Sequence, residues 1–342
     1  MEAEAALARW GRLDNLRPAP DAGLINRTWI AGDPAAAVLQ WVNPIFKPSV
    51  HLDIQAITER LAARGLITPR LLPTLDGALW VEDEGACWRL MDFVPGRTLH
   101  RVDGPARAAA CGALVGRFHA AVAGWSYTFQ HVRPGAHDTP RHMATLRSAL
   151  DAADGHPLAG AARDLGEQIL AQWADWQGTL ELPERVCHGD LKVSNLRFDE
   201  AGKDAICLLD LVTLASLPLA VEMGDALRSW CNPAGEDDPE SVYFDLALFE
   251  ASARAWLQAV GALSALERDS LVPGVERICL ELSARFCADA VRNSYFREDR
   301  ECFPQVGAHN LWRARGQARL ACSARDQASA AQAIVREAAL VT

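Results

Sequence analysis

Val186-Cys187-His188-Gly189-Asp190-Leu191-Lys192-Val193-Ser194-Asn195-Leu196-Arg197-Phe198-Asp199, followed by Ala205-Ile206-Cys207-Leu208-Leu209-Asp210, is the stretch on which the reading of this chain turns. Between Arg185 and Leu211 it accommodates a strand, a polar loop, a second strand and a third that ends in Asp210. On either side the pattern is helical: Pro105 to Ala123, Thr139 to Ala153, Leu158 to Leu180, Pro218 to Cys231, Pro239 to Val260, Val275 to Tyr295 and Pro304 to Arg325. Thr139-Pro140 reads as an N-cap with proline at the first helical position. A β island enclosed by helices, with polar residues at its strand ends, is where chemistry is usually placed.

The chain N-terminal to this half has a different texture. Glu2 to Trp10 forms a short amphipathic pattern, and Leu24 to Ala31 and Ala36 to Val42 read as a hairpin across the turn residues Gly32-Asp33-Pro34. Val50 to Arg64 has Ile54, Ile57 and Leu61 at helical spacing and stops at Gly65. Leu79 to Val81 and Cys87 to Phe93 complete a small, mostly antiparallel sheet with one helix against it, before Pro95-Gly96 breaks the chain. The expected division is therefore 1–92 and 93–342, and the Ala-rich tail after Arg325 is expected as a loosely attached helix.

A length of 342 residues is more than one compact core usually holds, which agrees with two lobes. Hydrophobic residues at 50% and charged residues at 23% exclude a disordered, collagen-like or coiled-coil chain. The formal charge of −10 argues against a nucleic-acid surface, without excluding a local cationic pocket for a small anion. Ile206 to Val221 is the most apolar stretch, but Asp210, Ser216 and Pro218 interrupt it, and it is short of the roughly 20 residues of a membrane helix. Nine cysteines at irregular spacings, and an acidic start without a signal-peptide pattern, point to buried free thiols in a reducing compartment. The expectation is a cytoplasmic protein without membrane, nucleic-acid or obligate protein partners.

The spacing within the island is informative: His-x-Asp, an Asn five residues after that Asp, and a second Asp fifteen further on. Phosphoryl transfer from ATP needs a carboxylate to orient and deprotonate the attacking hydroxyl, and oxygen ligands for Mg²⁺. Asp190 suits the first role, and Asn195 and Asp210 the second. Lys192 could set a positive charge against the transferred group. Each alone reads more readily as structural, Asp190 as a loop carboxylate, Asn195 as a turn residue and Asp210 as a helix cap, but the order and spacing of the set favour catalysis. His188 reads as a brace for the loop rather than an acid or base, and the set suits zinc poorly.

His188-Gly189-Asp190 through Asn195, with Leu209-Asp210, resembles the catalytic and metal loops of the aminoglycoside phosphotransferase and choline kinase superfamily. That resemblance implies an α+β, bilobal protein-kinase-like fold: a β-rich nucleotide-binding lobe over 1–92 and a helical catalytic and substrate lobe over 93–342. It implies Asp190 as base, Asn195 and Asp210 on Mg²⁺, and ATP between the lobes against Met91, Asp92 and Phe93. A narrower resemblance, to bacterial N-acetylhexosamine 1-kinases, rests on Gly23 to Thr28, Val38-Leu39-Gln40, Asn43 to Phe46, Gly85 to Arg89, His137 to Pro140, Gly224 to Arg228, Arg285 to Asp289 and His309-Asn310-Leu311. It implies a sugar pocket that includes Arg228, Arg285 and, across a one-residue gap, Tyr295.

The chain also departs from these patterns. Gln40 stands where kinases at large carry the phosphate-binding lysine of the third strand, and Gly23 is the sole glycine of the phosphate-covering loop. Asp210-Leu211-Val212-Thr213 lacks the second carboxylate of the sugar kinases, and Ser229 replaces an aromatic residue. The expected activity is an ATP- and Mg²⁺-dependent kinase acting on a sugar hydroxyl, the anomeric 1-OH of an N-acetylhexosamine or a related hexose. One alternative is a phosphotransferase acting on a cationic acceptor, an aminoglycoside or choline. For it, the acidic run Gly235 to Glu240 could attract the acceptor and Trp230 and Trp256 could stack on it, although the run reads more readily as a solvated loop before a helix and the tryptophans as core. The other alternative is a non-catalytic pseudokinase, for which Gln40 and the sparse glycines speak.

Overall fold

The computed structural model describes residues 1–11, 15–20, 25–235 and 238–340. Gly23 and the Glu236-Asp237 part of the acidic run lie outside them.

The N-terminal part opens with α1 (Ala3–Leu7), which runs through a 3-10 turn to Trp10. It continues with β1 (Arg17–Pro18), β2 (Arg27–Ala31), β3 (Ala37–Val42), α2 (Val50–Ala63), β4 (Leu71–Leu72), β5 (Val81–Asp83) and β6 (Ala86–Asp92). The strands form one antiparallel sheet in the order β1-β2-β3-β6-β4, with β5 also paired to β6. Because strand side chains alternate, the sheet has two distinct faces. Ala31, Ala37, Leu39, Trp88 and Leu90 are buried with Ala6, Leu7 and Trp10 in a small outer cluster. Val42 and Cys87, on the other face, join Ile54 and Ile57 of α2 in the main core. Thr28, Val38, Gln40 and Met91 share that inner face and line a cleft.

The remainder is helical apart from the expected island. It runs β7 (Arg97–Thr98), α3 (Pro105–Val122), α4 (Thr139–Asp151), α5 (Ala159–Ala174), β8 (Glu184–Cys187), β9 (Leu196–Phe198), β10 (Ala205–Leu208) and β11 (Ala215–Pro218). Then come α6 (Leu219–Trp230), α7 (Leu246–Ala259), α8 (Ala265–Asp269), α9 (Leu271–Arg292), α10 (Ala308–Asp326) and α11 (Ala328–Ala339). The island forms two small sheets, β10-β9-β7 and β11-β8. Strands as short as β7 and β11 leave almost no periodicity in the sequence, which is why they were not expected.

Helix α9 is buried along most of its length and packs against α4, α5, α6 and α10, while α3 packs against α7. The α6–α9 approach depends on small residues. A Cβ on Gly224 would stand 2.4 Å from the Gly274 carbonyl oxygen, and one on Gly274 would stand 2.2 Å from that of Ala220. These two helices carry much of one wall of the cleft, so their close packing positions it.

Several local expectations are corrected. Helix α4 is capped by Asp138, whose side chain accepts the Arg141 N–H, and Thr139 is its first residue. Helix α7 starts at Leu246 because Asp245 caps it, well after Pro239. Helix α5 ends at Ala174, short of Leu180. Helix α9 begins at Leu271 and is stopped by Asn293 in a left-handed conformation. The tail helix α11 is firmly packed, with Ala331, Val335 and Ala338 buried. All nine cysteines are free, and Cys302 and Cys322 are exposed rather than buried. No helix among the described residues is long and apolar enough to cross a membrane.

Candidate active site

Strand β8 ends at Cys187, and the chain is at once held by a buried acid of α6. Glu222 accepts the His188 N–H at Oε1 (2.7 Å) and the Gly189 N–H at Oε2 (2.8 Å). His119 of α3 approaches the same carboxylate at 3.3 Å through Nε2, and the Trp256 indole N–H donates to its Nδ1 at 3.0 Å. The indole donor fixes the tautomer: Nε2 carries the proton and points it at Glu222. Burial raises the pKa of Glu222, but the hydrogen bonds from His119 and from the His188 N–H hold it below the usual carboxylate value.

Gly189 has φ +82°, and a Cβ there would lie 2.3 Å from the Thr213 carbonyl oxygen, so only glycine fits. The turn it makes delivers Asp190. Lys192 Nζ lies 2.9 Å from Asp190 Oδ2, and the Asn195 amide donates to the same Oδ2 at 2.9 Å and to the Asp190 carbonyl at 2.8 Å. Oδ1 is the carboxylate oxygen left without a protein donor among the described residues. Burial pushes Asp190 up, but the charge and hydrogen bond of the Lys192 ammonium, with the Arg228 guanidinium, more than offset it. The group is held below its ordinary value and is ionised at neutral pH.

The loops of Asp190 and Asp210 are tied together by His188, which accepts the Asp190 N–H at Nδ1 (3.3 Å) and donates from Nε2 to the Leu209 carbonyl (2.7 Å). The bracing role expected for His188 is the one its geometry has. Leu209 N–H in turn donates to the Asn195 carbonyl at 2.8 Å. Ser229 holds the same loop by accepting the Val193 N–H at 3.1 Å, and the Trp230 indole donates to the Leu191 carbonyl at 2.9 Å.

Asp210 has φ +56° and ψ +58°, a left-handed conformation that Asp tolerates better than most residues. Its Oδ1 is buried and has no hydrogen-bond partner among the described residues. A buried carboxylate oxygen of this kind is costly unless a cation meets it. Asn195 spends its Nδ2 on Asp190, which leaves its Oδ1 as the atom able to coordinate. Two oxygen donors of this type suit a hard divalent cation such as Mg²⁺.

The residues proposed from the sequence for catalysis, metal, nucleotide and acceptor line one cleft of about 1600 Å³: Asp190, Lys192, Asn195 and Asp210, the roof residues Gln40, Met91, Asp92 and Phe93, and Arg228, Arg285 and Tyr295. Arg228 is buried and paired with Asp225 through Nε at 3.0 Å and Nη2 at 2.8 Å. Arg285 lies over the rings of Tyr295 and Phe296, and Arg133 Nη2 is 3.4 Å from the Tyr295 hydroxyl. Nearby, His137 meets the fully buried Glu281 at 3.0 Å, and the Thr139 hydroxyl donates to the same carboxylate at 2.6 Å.

Of the features invoked for a cationic acceptor, those that are described lie away from the cleft. Glu240 pairs with Arg319 at 2.8 Å, and none of residues 238–240 lines the cleft. Trp230 and Trp256 are both completely buried and cannot stack on a ligand. Sequence reasoning also missed Glu222, His119 and Arg89. An acid inside an amphipathic helix looks like a surface residue, and its burial is decided by the partner helices.

Comparison with known proteins bears on this arrangement. Residues 17–266 match the phosphotransferase enzyme family. The homoserine kinases of Allorhizobium ampelinum and Agrobacterium fabrum are each 27% identical, over 175 and 215 residues; the matches span 51% and 63% of this chain, and only 51% and 62% of those proteins. Among solved structures, the microcompartment-associated aminopropanol kinase superposes with a TM-score of 0.63 at 17% identity, over 96% of this chain and 98% of its own. The chain belongs to the phosphotransferase enzyme family and has its kinase-like, bilobal α+β fold.

Proposed function

We propose that this chain transfers the γ-phosphoryl group of ATP to a hydroxyl of a small polar molecule, with a hexose such as an N-acetylhexosamine, phosphorylated at its anomeric 1-OH, as the leading acceptor. The observation that carries the reading is the shared cleft in which Asp190 is held ionised by Lys192 while Asp210 presents a buried, unpartnered oxygen. In the reaction the acceptor oxygen forms a bond to the γ-phosphorus, the bond from that phosphorus to the β–γ bridging oxygen breaks, and ADP leaves. Asp190 accepts the hydroxyl proton. Lys192 and Asn195, both on Oδ2, fix the carboxylate so that Oδ1 can meet the acceptor. Asn195 and Asp210 would hold Mg²⁺, which when bound neutralises charge on the phosphates. Met91, Asp92 and Phe93 would receive the adenine, and Arg228, Arg285 and Tyr295 the acceptor.

A second reading has a specific observation behind it. Arg133, Arg228, Arg277, Arg285 and Arg313 all line the cleft, which favours an acceptor that carries a carboxylate over one that carries an amine alone. Homoserine, the substrate in the name of the two 27% identical relatives, has such a group. Against the cationic-acceptor alternative stand the complete burial of Trp230 and Trp256 and the pairing of Glu240 with Arg319. The pseudokinase alternative has against it the intact set Asp190, Asn195 and Asp210.

The test is an ADP-release screen with Mg-ATP against N-acetylglucosamine, N-acetylgalactosamine, other hexoses, homoserine, choline and an aminoglycoside. Turnover on N-acetylated sugars is expected. Turnover on homoserine alone would replace the sugar with the second reading, and turnover on cations alone would overturn both.

A further inference from the structure

The position at which kinase-like folds place a phosphate-binding lysine is Gln40, and Gln40 does not stand by itself. In the antiparallel register of β3 and β6 it lies directly opposite Arg89. The two side chains therefore emerge on the same face, the one whose neighbours Thr28, Val38 and Met91 line the cleft. Arg89 Nε and Nη2 both donate to Gln40 Oε1, at 3.0 and 2.7 Å, and Gln40 Nε2 donates to the Thr28 hydroxyl at 3.1 Å. The glutamine acts as an aligner: its carbonyl takes two donors of the fork, and its amide is anchored to the next strand.

Arg89 is 1% exposed, and its Nη1 is buried without a hydrogen-bond partner among the described residues. A guanidinium removed from water is normally neutralised by a carboxylate, because an uncompensated buried charge is expensive. In protein kinases the corresponding lysine is neutralised by an acid of the helix packed on the sheet. Here the first turn of α2 cannot do this. His51 is driven down to about 3 by burial and by Arg89, so it is neutral, and its Nδ1 is committed to the Pro48 carbonyl at 2.8 Å. Asp53 is spent on the Tyr127 hydroxyl and the Gln130 and His131 N–H groups, each at 2.8 Å. The acid whose charge reaches Arg89 is Asp210, on the opposite side of the site.

A buried cation just beneath the cleft lining of Thr28, Val38, Gln40 and Met91, aligned by a neutral amide, with one donor unpartnered among the described residues and no acid of its own on the sheet or on α2, is arranged to be neutralised by an incoming anion. We infer that Arg89 supplies the positive charge that anchors the phosphates of the bound nucleotide, taking over from the adjacent strand the task a lysine at position 40 would perform. The inference rests on the ATP-phosphotransferase reading and adds the group that holds the phosphates. It also gives Gln40 a purpose, since a lysine there would set a second positive charge against Arg89.

Isothermal titration of the full chain with Mg-ADP, AMP and adenosine tests this, because a merely structural arginine would not distinguish ligands by their phosphates. For Arg89→Gln the Mg-ADP affinity is expected to fall roughly 10- to 100-fold, the range for losing hydrogen bonds to a charged group, with adenosine affinity almost unchanged. Arg89→Lys is expected to keep most of the ADP preference. In Gln40→Lys/Arg89→Gln, which moves the cation back to the third strand, the ADP preference is expected to return. If Arg89→Gln does not fold, the double variant decides, since loss of its ADP-over-adenosine preference overturns the inference. Equal loss for all three ligands, or no loss for any, also overturns it. If the unaltered chain binds neither adenosine nor Mg-ADP, the phosphotransferase reading fails first, and Arg89 with it.

Discussion

The buried carboxylate of Glu222 accepts the backbone N–H of Gly189 at 2.8 Å, and its other oxygen takes the neighbouring N–H of His188. The candidate base is thus aimed by a helix more than thirty residues further along the chain. Glu222→Gln keeps the shape but puts an amide where two N–H groups need acceptors. Leaving a buried donor unsatisfied costs about 1–3 kcal/mol. A lower Tm and a reduced kcat, with the KM for ATP little changed, are expected from thermal melts and steady-state assays. Wild-type values for both would show that the loop is held by other means.

Gly189 offers an independent check on the same turn. Alanine at φ +82° costs about 1–2 kcal/mol in backbone conformation alone. It also drives Cβ to within 2.3 Å of the Thr213 carbonyl oxygen, so the loop must shift. Gly189→Ala is expected to lose activity more severely than stability, as measured by turnover beside a urea melt. A fully active variant would contradict the geometry assigned to the loop.

Asp210 allows charge to be separated from conformation. Asparagine tolerates the left-handed region as well as aspartate does, so Asp210→Asn is expected to fold with an almost unchanged Tm. What it loses is charge at the oxygen that has no protein partner. Titration of activity with MgCl₂ is expected to show a much higher metal requirement. An unaltered Mg²⁺ dependence would remove Asp210 from the metal site.

The His137–Glu281 pair gives stability a pH signature. Burial works against the charge on Glu281, but His137, the Thr139 hydroxyl and Arg285 bring it down to about 2. His137 is raised: burial lowers it, and the charge and hydrogen bond of Glu281 prevail, with Asp225 adding to them and Arg285 opposing. A depressed carboxylate stabilises the fold above its ordinary value of 4.5 and loses that contribution as pH falls through its folded value. A raised histidine stabilises below 6.5 and loses its contribution as pH climbs through its folded value. The Tm gap between wild type and His137→Gln is therefore expected to be widest between pH 4.5 and 6.5 and to narrow on either side. A gap that stays constant from about pH 4 to about pH 9 would contradict the pairing.

The loops around Asp190 and Asp210 were legible in the sequence because their chemistry depends on residue type at short spacing. The hairpin at Gly32-Asp33-Pro34 and helix α2 were legible because turn residues and apolar periodicity act locally. What stayed hidden was decided by distant parts of the chain. Nothing in the sequence of β3 shows that Gln40 faces Arg89, since register is a property of the sheet. The acidic run at Gly235 to Glu240 reads first as a solvated loop before a helix, with recognition of a cation as the sharper alternative, and the sequence alone does not show that its last acid, Glu240, pairs with Arg319 on α10. Trp230 and Trp256 had the chemistry to stack on a cation, but the helices around them bury both completely. Residue type showed what each group could do, and packing decided which of them reach the cleft.

The central claim is that Asp190 takes the proton from the acceptor hydroxyl. The most direct measurement is turnover of Asp190→Asn beside wild type on the best acceptor, with the Mg-ATP affinity of both determined by titration. A loss of at least ~10²-fold in kcat is expected, because a positioned base contributes ~10²–10⁴-fold, with Mg-ATP affinity held within a few-fold. Near-normal turnover in Asp190→Asn would contradict the assignment and require another base in the cleft.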